Sequence, residues 1–238
     1  MTARHRCVPF GTRARCSELP AACWRPVTAR YVDQHWRGIP IDKSPFELAL
    51  LPMLLYEQGI RSVIELGAGA GGSAVWLADH LAGDPQARVL SVDISLAGVH
   101  PTAAADERIA FITGDCNNLV EVLTPSRLTT LPHPWLILED AHDGLAEALR
   151  FVDSCGLCDG DYVIIEDTNL DLWQAWSDWP DRPLLECVRS KLDVIERWLN
   201  TAQSRYLVDP RYLDLFGFNA SKQWNSVFRV CGPEAFSR

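Results

Sequence analysis

The 238-residue sequence contains no apolar run approaching the roughly 20 residues needed to cross a bilayer, and its start, Met-Thr-Ala-Arg-His-Arg, lacks the apolar stretch of a secretory signal. Neither a membrane span nor export is expected, and the chain reads as cytoplasmic. Positive charge is in short supply, with 22 Lys and Arg against 31 Asp and Glu and a formal charge of -9. A generic grip on nucleic acid needs clustered cations, so a small molecule or a cation is the expected partner instead. Closely spaced cysteines are scarce too. Of eight cysteines only Cys155 and Cys158, in Cys-Gly-Leu-Cys, form a tight pair, and no second pair supplies the other ligands of a zinc site. In a chain this long without an export signal the thiols are expected to be reduced. Repeats and low-complexity tracts are also missing. What remains, 47% hydrophobic and 22% charged, is the composition of an ordinary globular chain with one sizeable core.

Charge is unevenly spread. Residues 1–30 hold six arginines against one acid, Glu18, together with Pro9, Pro20, Pro26 and Gly11, and they show no sustained periodicity. They are expected to form a mobile basic arm, or a segment that orders against a neighbouring subunit or a ligand, ahead of a single domain over residues 31–238. A homo-oligomer is therefore left open.

Ser44-Pro45-Phe46-Glu47 places a capping Ser, a Pro at the first helical position and a Glu three residues after the cap. Apolar Phe46, Leu50, Leu51, Leu54 and Leu55 then recur at helical spacing up to Gly59, with Pro52 an expected kink. Short apolar runs at 63–66, 89–92, 109–112, 135–138 and 162–165 suit strands buried on both faces, and helical stretches at 73–81, 118–123 and 144–155 separate them. This alternation predicts an α/β fold, a doubly wound, mostly parallel sheet. A further helix at 184–199 and strands at 206–208 and 226–230 predict an antiparallel C-terminal edge, and 169–183 reads as a long loop.

At the end of the first of these strands stands Glu65-Leu-Gly67-Ala-Gly69-Ala-Gly71-Gly72-Ser73. Glycines there let the backbone approach a ligand at a helix N-terminus. Gly67, Gly69 and Gly72 satisfy G-x-G-x-x-G, so NAD must be weighed. Glu65 shifts the balance: a carboxylate here suits the ammonium of an amino-acid-bearing cofactor and repels a pyrophosphate. Asp93, ending the second strand, is placed for ribose hydroxyls, and Asp115, after the third, for an adenine amino group. S-adenosylmethionine is the preferred reading.

The fourth and fifth strands end in Glu139-Asp140-Ala-His142 and Glu166-Asp167-Thr168. Both acidic pairs fall at the rim where parallel sheets bind ligands, and crowded carboxylates call for a hard divalent cation unless they serve as helix caps. These motifs, with Gly114-Asp115 and the upstream Trp36-Arg-Gly38-Ile-Pro40, resemble the cephalosporin hydroxylase and rhamnosyl O-methyltransferase family over roughly residues 31–231. The resemblance implies a class I methyltransferase, Rossmann-like, with S-adenosylmethionine on Glu65, Gly67, Gly69, Gly71, Ser73, Asp93 and Asp115. It also implies Mg2+ or Mn2+ on Asp140, Glu166 and Asp167, and His142 with Asp140 as catalytic residues. Related metal-dependent sugar methyltransferases carry Asp-x-x-His; here Asp140-x-His142 is one residue shorter. The expected activity is O-methylation of a sugar, vicinal diol or catechol-like hydroxyl in a secondary metabolite, as in antibiotic biosynthesis. An accessory subunit of a hydroxylation and methoxylation system and an NAD-dependent oxidoreductase are the alternatives. Trp173, Trp176 and Trp179, with Trp36, are candidate walls for the acceptor.

Overall fold

The structure is a computed structural model, and it describes residues 6–28, 33–81, 83–175, 182–202 and 205–232. After helix α1 (Ala21–Thr28), a two-residue hairpin pairs β1 (His35–Trp36) with β2 (Ile39–Pro40). Helix α2 (Pro45–Gln58) follows, and the chain then alternates: β3 (Ser62–Leu66), α3 (Gly72–His80), β4 (Arg88–Asp93), β5 (Ile109–Thr113), β6 (Trp135–Glu139), α4 (Leu145–Ser154) and β7 (Tyr162–Ile165). Helices α5 (Leu170–Ala175) and α6 (Arg182–Ala202) precede β8 (Tyr206–Val208) and β9 (Val227–Val230). The main sheet has the order β5-β4-β3-β6-β7-β9-β8, parallel from β5 to β7, with β9 antiparallel to both of its neighbours.

The order follows from burial. Every residue of β3, β6 and β7 is buried, as central strands covered on both faces require. In α4 the buried set Leu145, Ala148, Leu149 and Val152 recurs at helical spacing, so one apolar stripe faces the core. Helix α2 begins where the capping motif predicts, with the Ser44 amide donating to Glu47 Oε2 at 2.6 Å, and it runs on through Pro52. It ends at Gly59, which is left-handed. The stretch 169–183, read as a loop, contains α5 and the first two residues of α6. Leu172 and Trp173 there find an apolar partner surface on Trp24, Val188 and Phe46, which hydrophobic periodicity within so short a segment does not reveal. No described helix is long and apolar enough to cross a membrane.

The N-terminal stretch carries structure of its own. Val8 makes an antiparallel bridge to Val208 and so covers the open edge of β8. Arg6 donates twice at 2.6 Å to Asp209, which is fully buried and also receives the Tyr162 hydroxyl. Arg13 reaches Asp214, Asn219 and Asn225, and Trp24 is fully buried. Arg6, Arg13 and Arg15, part of the expected mobile basic arm, thus have acidic partners in the C-terminal part of the same chain.

Arg6→Met is expected to destabilise the fold by about 3 kcal/mol in chemical denaturation, because it leaves the buried Asp209 carboxylate short of its cation. An unchanged midpoint would show the segment to be detached in solution.

Candidate functional site

The parallel strands end on one rim, and there a cavity of about 550 Å³ opens. Its walls come from the glycine loop (67–70), Asp93, Asp115, Asp140, His142 and Asp167, joined by Lys43 and Lys222. That volume lies in the range of small-molecule sites.

The loop half is built by backbone approach. Gly67 has φ +100°, and a Cβ there would lie 2.5 Å from the Asp140 carbonyl oxygen, so only glycine lets the end of β3 lie against the end of β6. Asp93 pins the loop from the next strand: its Oδ2 accepts from the Ala68 and Gly69 amides at 2.9 and 3.2 Å. Glu65 is buried one layer below and does not line the cavity; its two oxygens accept the hydroxyls of Ser73 and Ser91. Burial pushes its carboxyl up, against the pull of Lys43 and the two hydroxyls. Ser73 does line the cavity, whereas Gly71 turns away from it. With φ +81° and a Cβ that would meet Ala103 and Phe111 at about 3 Å, Gly71 serves the start of α3. Asp115 lines the far wall, where its Oδ1 accepts from the Asn117 amide at 2.8 Å. Ile94, also in the wall, is 72% exposed, an apolar surface open to a flat ligand.

The other half is an array of buried charge. Lys43 Nζ donates to Asp140 Oδ2 at 2.8 Å and to Glu166 Oε2 at 2.7 Å. Lys222 Nζ lies 3.2 Å from the same Glu166 oxygen and 2.8 Å from Asp167 Oδ1. Lys191 Nζ reaches Glu139 Oε2 and the Glu166 carbonyl. All three lysines are 1% exposed. Burial alone would lower Lys43, but Asp140 and Glu166 outweigh it and hold its pKa well above the usual range. Burial likewise opposes the ionised Asp140, yet Lys43 and Lys222 keep its carboxyl far below the usual carboxylate range. Glu166 goes the other way, pushed up by burial and then by Asp140 despite the two lysines.

His142 and Asp167 both have left-handed backbones, with φ +62° and +63°. Strained residues of this kind collect at functional sites. The turns bring His142 Nδ1 to 3.4 Å from Asp167 Oδ2 and its Nε2 to 3.9 Å from Asp140 Oδ1. Asp140, His142 and Asp167 each offer a ligand atom, all within 4.8 Å of one another. Glu166, expected beside them, is fully buried, outside the cavity lining and outside that close group, because two ammonium groups hold its Oε2. Its Oε1 receives no hydrogen bond from the described residues.

Among the tryptophans, Trp173 lines the cavity. Trp36 stands elsewhere, its indole N–H donating to Asp79 and its ring against His80, because the β1–β2 hairpin packs on α3. Trp176 and Trp179 lie outside the described residues. Cys155 and Cys158 are free thiols remote from the cavity, and Asp161 between β6 and β7 takes the Trp135 and Cys158 amides together with His133. The three lysines were not singled out in the sequence. No local pattern marks a lysine as buried; only the carboxylates gathered by the fold do so.

The rhamnosyl O-methyltransferase/CmcI family model matches residues 29–223. No curated protein matches the chain. Three solved structures of CmcI are similar in fold. The apo N160 form is 23% identical with TM-score 0.65, covering 84% of this chain and 77% of that one. The D160 form with Mg and SAM is 26% identical with TM-score 0.63, covering 84% and 78%. The N160 form with SAH is 25% identical with TM-score 0.63, covering 85% and 84%.

Proposed function

Because the chain belongs to the rhamnosyl O-methyltransferase/CmcI family and is an S-adenosylmethionine-dependent methyltransferase, we propose that it methylates a hydroxyl of a small natural product with the help of a divalent cation. The acceptor is a sugar, a vicinal diol or a catechol-like ring, and the reaction takes place in the cytoplasm. The observation that carries this reading is that one cavity joins a glycine loop and two flanking acids, Asp93 and Asp115, to the group Asp140, His142 and Asp167.

The residues fit a hard cation. Three buried lysines face the five carboxyl groups of Glu47, Glu139, Asp140, Glu166 and Asp167, so acids outnumber ammonium groups there. Oxygen donors select Mg2+ or Mn2+ over zinc, and Asp140 and Asp167, with His142 beside them, would hold it, whereas Glu166, expected as a third ligand, stands outside that group. That the solved CmcI-D160 structure holds Mg and SAM supports a cation as part of this reading.

When bound, the cation stabilises an ionised acceptor oxygen, and S-adenosylmethionine supplies the methyl group. The chain's own residues do the rest. The backbone of the loop 67–70 and the carboxylates of Asp93 and Asp115 would orient the nucleoside, and Glu65, one layer down, fixes Ser73 at the cavity wall through its hydroxyl. Holding donor and acceptor in line converts the displacement into an intramolecular event. His142, half-exposed at the cavity wall, accepts the acceptor's proton, with Asp140 and Asp167 on either side of its ring. Trp173 offers a flat apolar surface for the acceptor ring.

S-adenosylmethionine or its demethylated product is expected to raise the melting temperature, by the equivalent of about 2.7 kcal/mol at a hundredfold excess over Kd, while NAD leaves it unchanged; stabilisation by NAD alone would point to an oxidoreductase. EDTA should abolish turnover and Mg2+ restore it, whereas activity that survives EDTA removes the cation from the mechanism. His142→Ala is expected to slow turnover about 10²- to 10⁴-fold while cofactor affinity, titrated separately, stays intact. Full turnover at neutral pH in that variant would leave the proton to solvent.

A further inference from the structure

The cysteine pair that the methyl-transfer site leaves unused lies at the opposite end of the sheet. Cys158 stands in the turn between α4 and β7, and His133 in the loop that leads into β6. The two meet at the amino ends of neighbouring parallel strands, away from the rim that carries the cavity. Spacing within the sequence offered Cys155 and Cys158 no second pair of zinc ligands. The fold supplies a donor from 25 residues upstream of Cys158.

Cys158 Sγ lies 3.8 Å from His133 Nε2. The imidazole is fixed in two ways. Its face stacks on Trp135, with centroids 4.0 Å apart and planes at 11°, and its Nδ1 lies 2.9 and 3.0 Å from the two oxygens of Asp161. Asp161 is itself anchored, with a side chain 1% exposed that accepts the Trp135 and Cys158 amides at 2.8 and 2.7 Å. A carboxylate accepts and does not donate, so the ring proton sits on Nδ1 and the Nε2 lone pair faces the sulfur. Cys155 takes no part, since its thiol turns to the Val152 carbonyl at 3.4 Å.

We infer that Cys158 Sγ and His133 Nε2 form a binding site for a thiophilic divalent cation such as Zn2+, with Asp161 holding the imidazole from behind. A tetrahedral ion with bonds of about 2.3 Å to sulfur and about 2.1 Å to nitrogen sets these donors about 3.6 Å apart, close to the separation found. Sulfur and nitrogen donors select Zn2+ over Mg2+, so this site and the carboxylate rim do not compete for one ion. A carboxylate on the far nitrogen of a metal-bound imidazole fixes the ring and raises its basicity. Cys158 is exposed and the His133 side chain is 34% exposed, which opens the remaining coordination positions to water. The thiol proton passes to solvent as the ion binds. A bound ion ties the turn ahead of β7 to the loop ahead of β6.

The test is titration of the reduced, full-length protein with Co2+ as a spectroscopic stand-in for Zn2+, because a thiolate ligand gives a near-ultraviolet charge-transfer band that oxygen ligands at the rim do not. The natural chain should show this band, saturating at one equivalent, and Zn2+ should abolish it by displacement. Cys158→Ser, at an exposed position, should remove the band, and Cys155→Ser should keep it. His133→Gln, checked for native circular dichroism, should weaken binding about tenfold or more. The site is overturned by a natural chain without the band, by a band that persists in Cys158→Ser, or by unchanged affinity in a folded His133→Gln protein. Should His133→Gln fail to fold, the natural chain and Cys158→Ser decide.

Discussion

Everything at the rim of the sheet depends on the pairing of Lys43, Lys191 and Lys222 with the carboxylates that end β6 and β7. Ionised carboxylates taken out of water cost several kcal/mol each unless compensated, and here Glu139, Asp140, Glu166 and Asp167 stand on adjacent parallel strands with Glu139 paired to Ile165. The lysines come from three separate places: the segment ahead of α2, the body of α6, and the connection into β9. Each tether ties a distant part of the chain to the site. The fold of the N-terminal half and that of the C-terminal edge are therefore coupled through electrostatics at the cavity as well as through the apolar core.

Asp140 and Asp167 stand between the buried ammonium groups on one side and the His142 ring on the other. His142 and Asp167, both in left-handed turns, line the cavity, and strained backbone of this kind collects at functional sites. On the opposite wall the loop 67–70 brings its backbone up to the cavity, held there by the Ala68 and Gly69 amides donating to Asp93. A cationic, amino-acid-bearing nucleoside fits between such walls better than a pyrophosphate does.

The basic character of residues 1–30 finds a structural outlet. Arg6, Arg13 and Arg15 pair with Asp209, Asp214 and the acids of α6, and Val8 extends the sheet past β8. Charge asymmetry along the sequence is thus converted into complementarity between the two ends of the chain. Covering the β8 edge also withdraws a template for unwanted strand pairing.

The order of strands and helices was legible in the sequence, because runs such as Val63-Ile-Glu-Leu66 and Tyr162-Val-Ile-Ile165 announce strands covered on both faces and each is followed by its helix. So was the rim, since parallel strands place their carboxyl ends together and Asp93, Asp115, Asp140 and Asp167 each follow or end one. Left to the tertiary structure were the depth of Glu65 and Glu166, the departure of Trp36 to α3, the helix formed by residues 170–175 and the lysines. The reason is physical. Periodicity reports which face of an element is buried, but the partner of a buried charge lies about 50 to 120 residues away, as Glu139 is from Lys191 and Glu166 from Lys43, and only folding brings the two within hydrogen-bond reach.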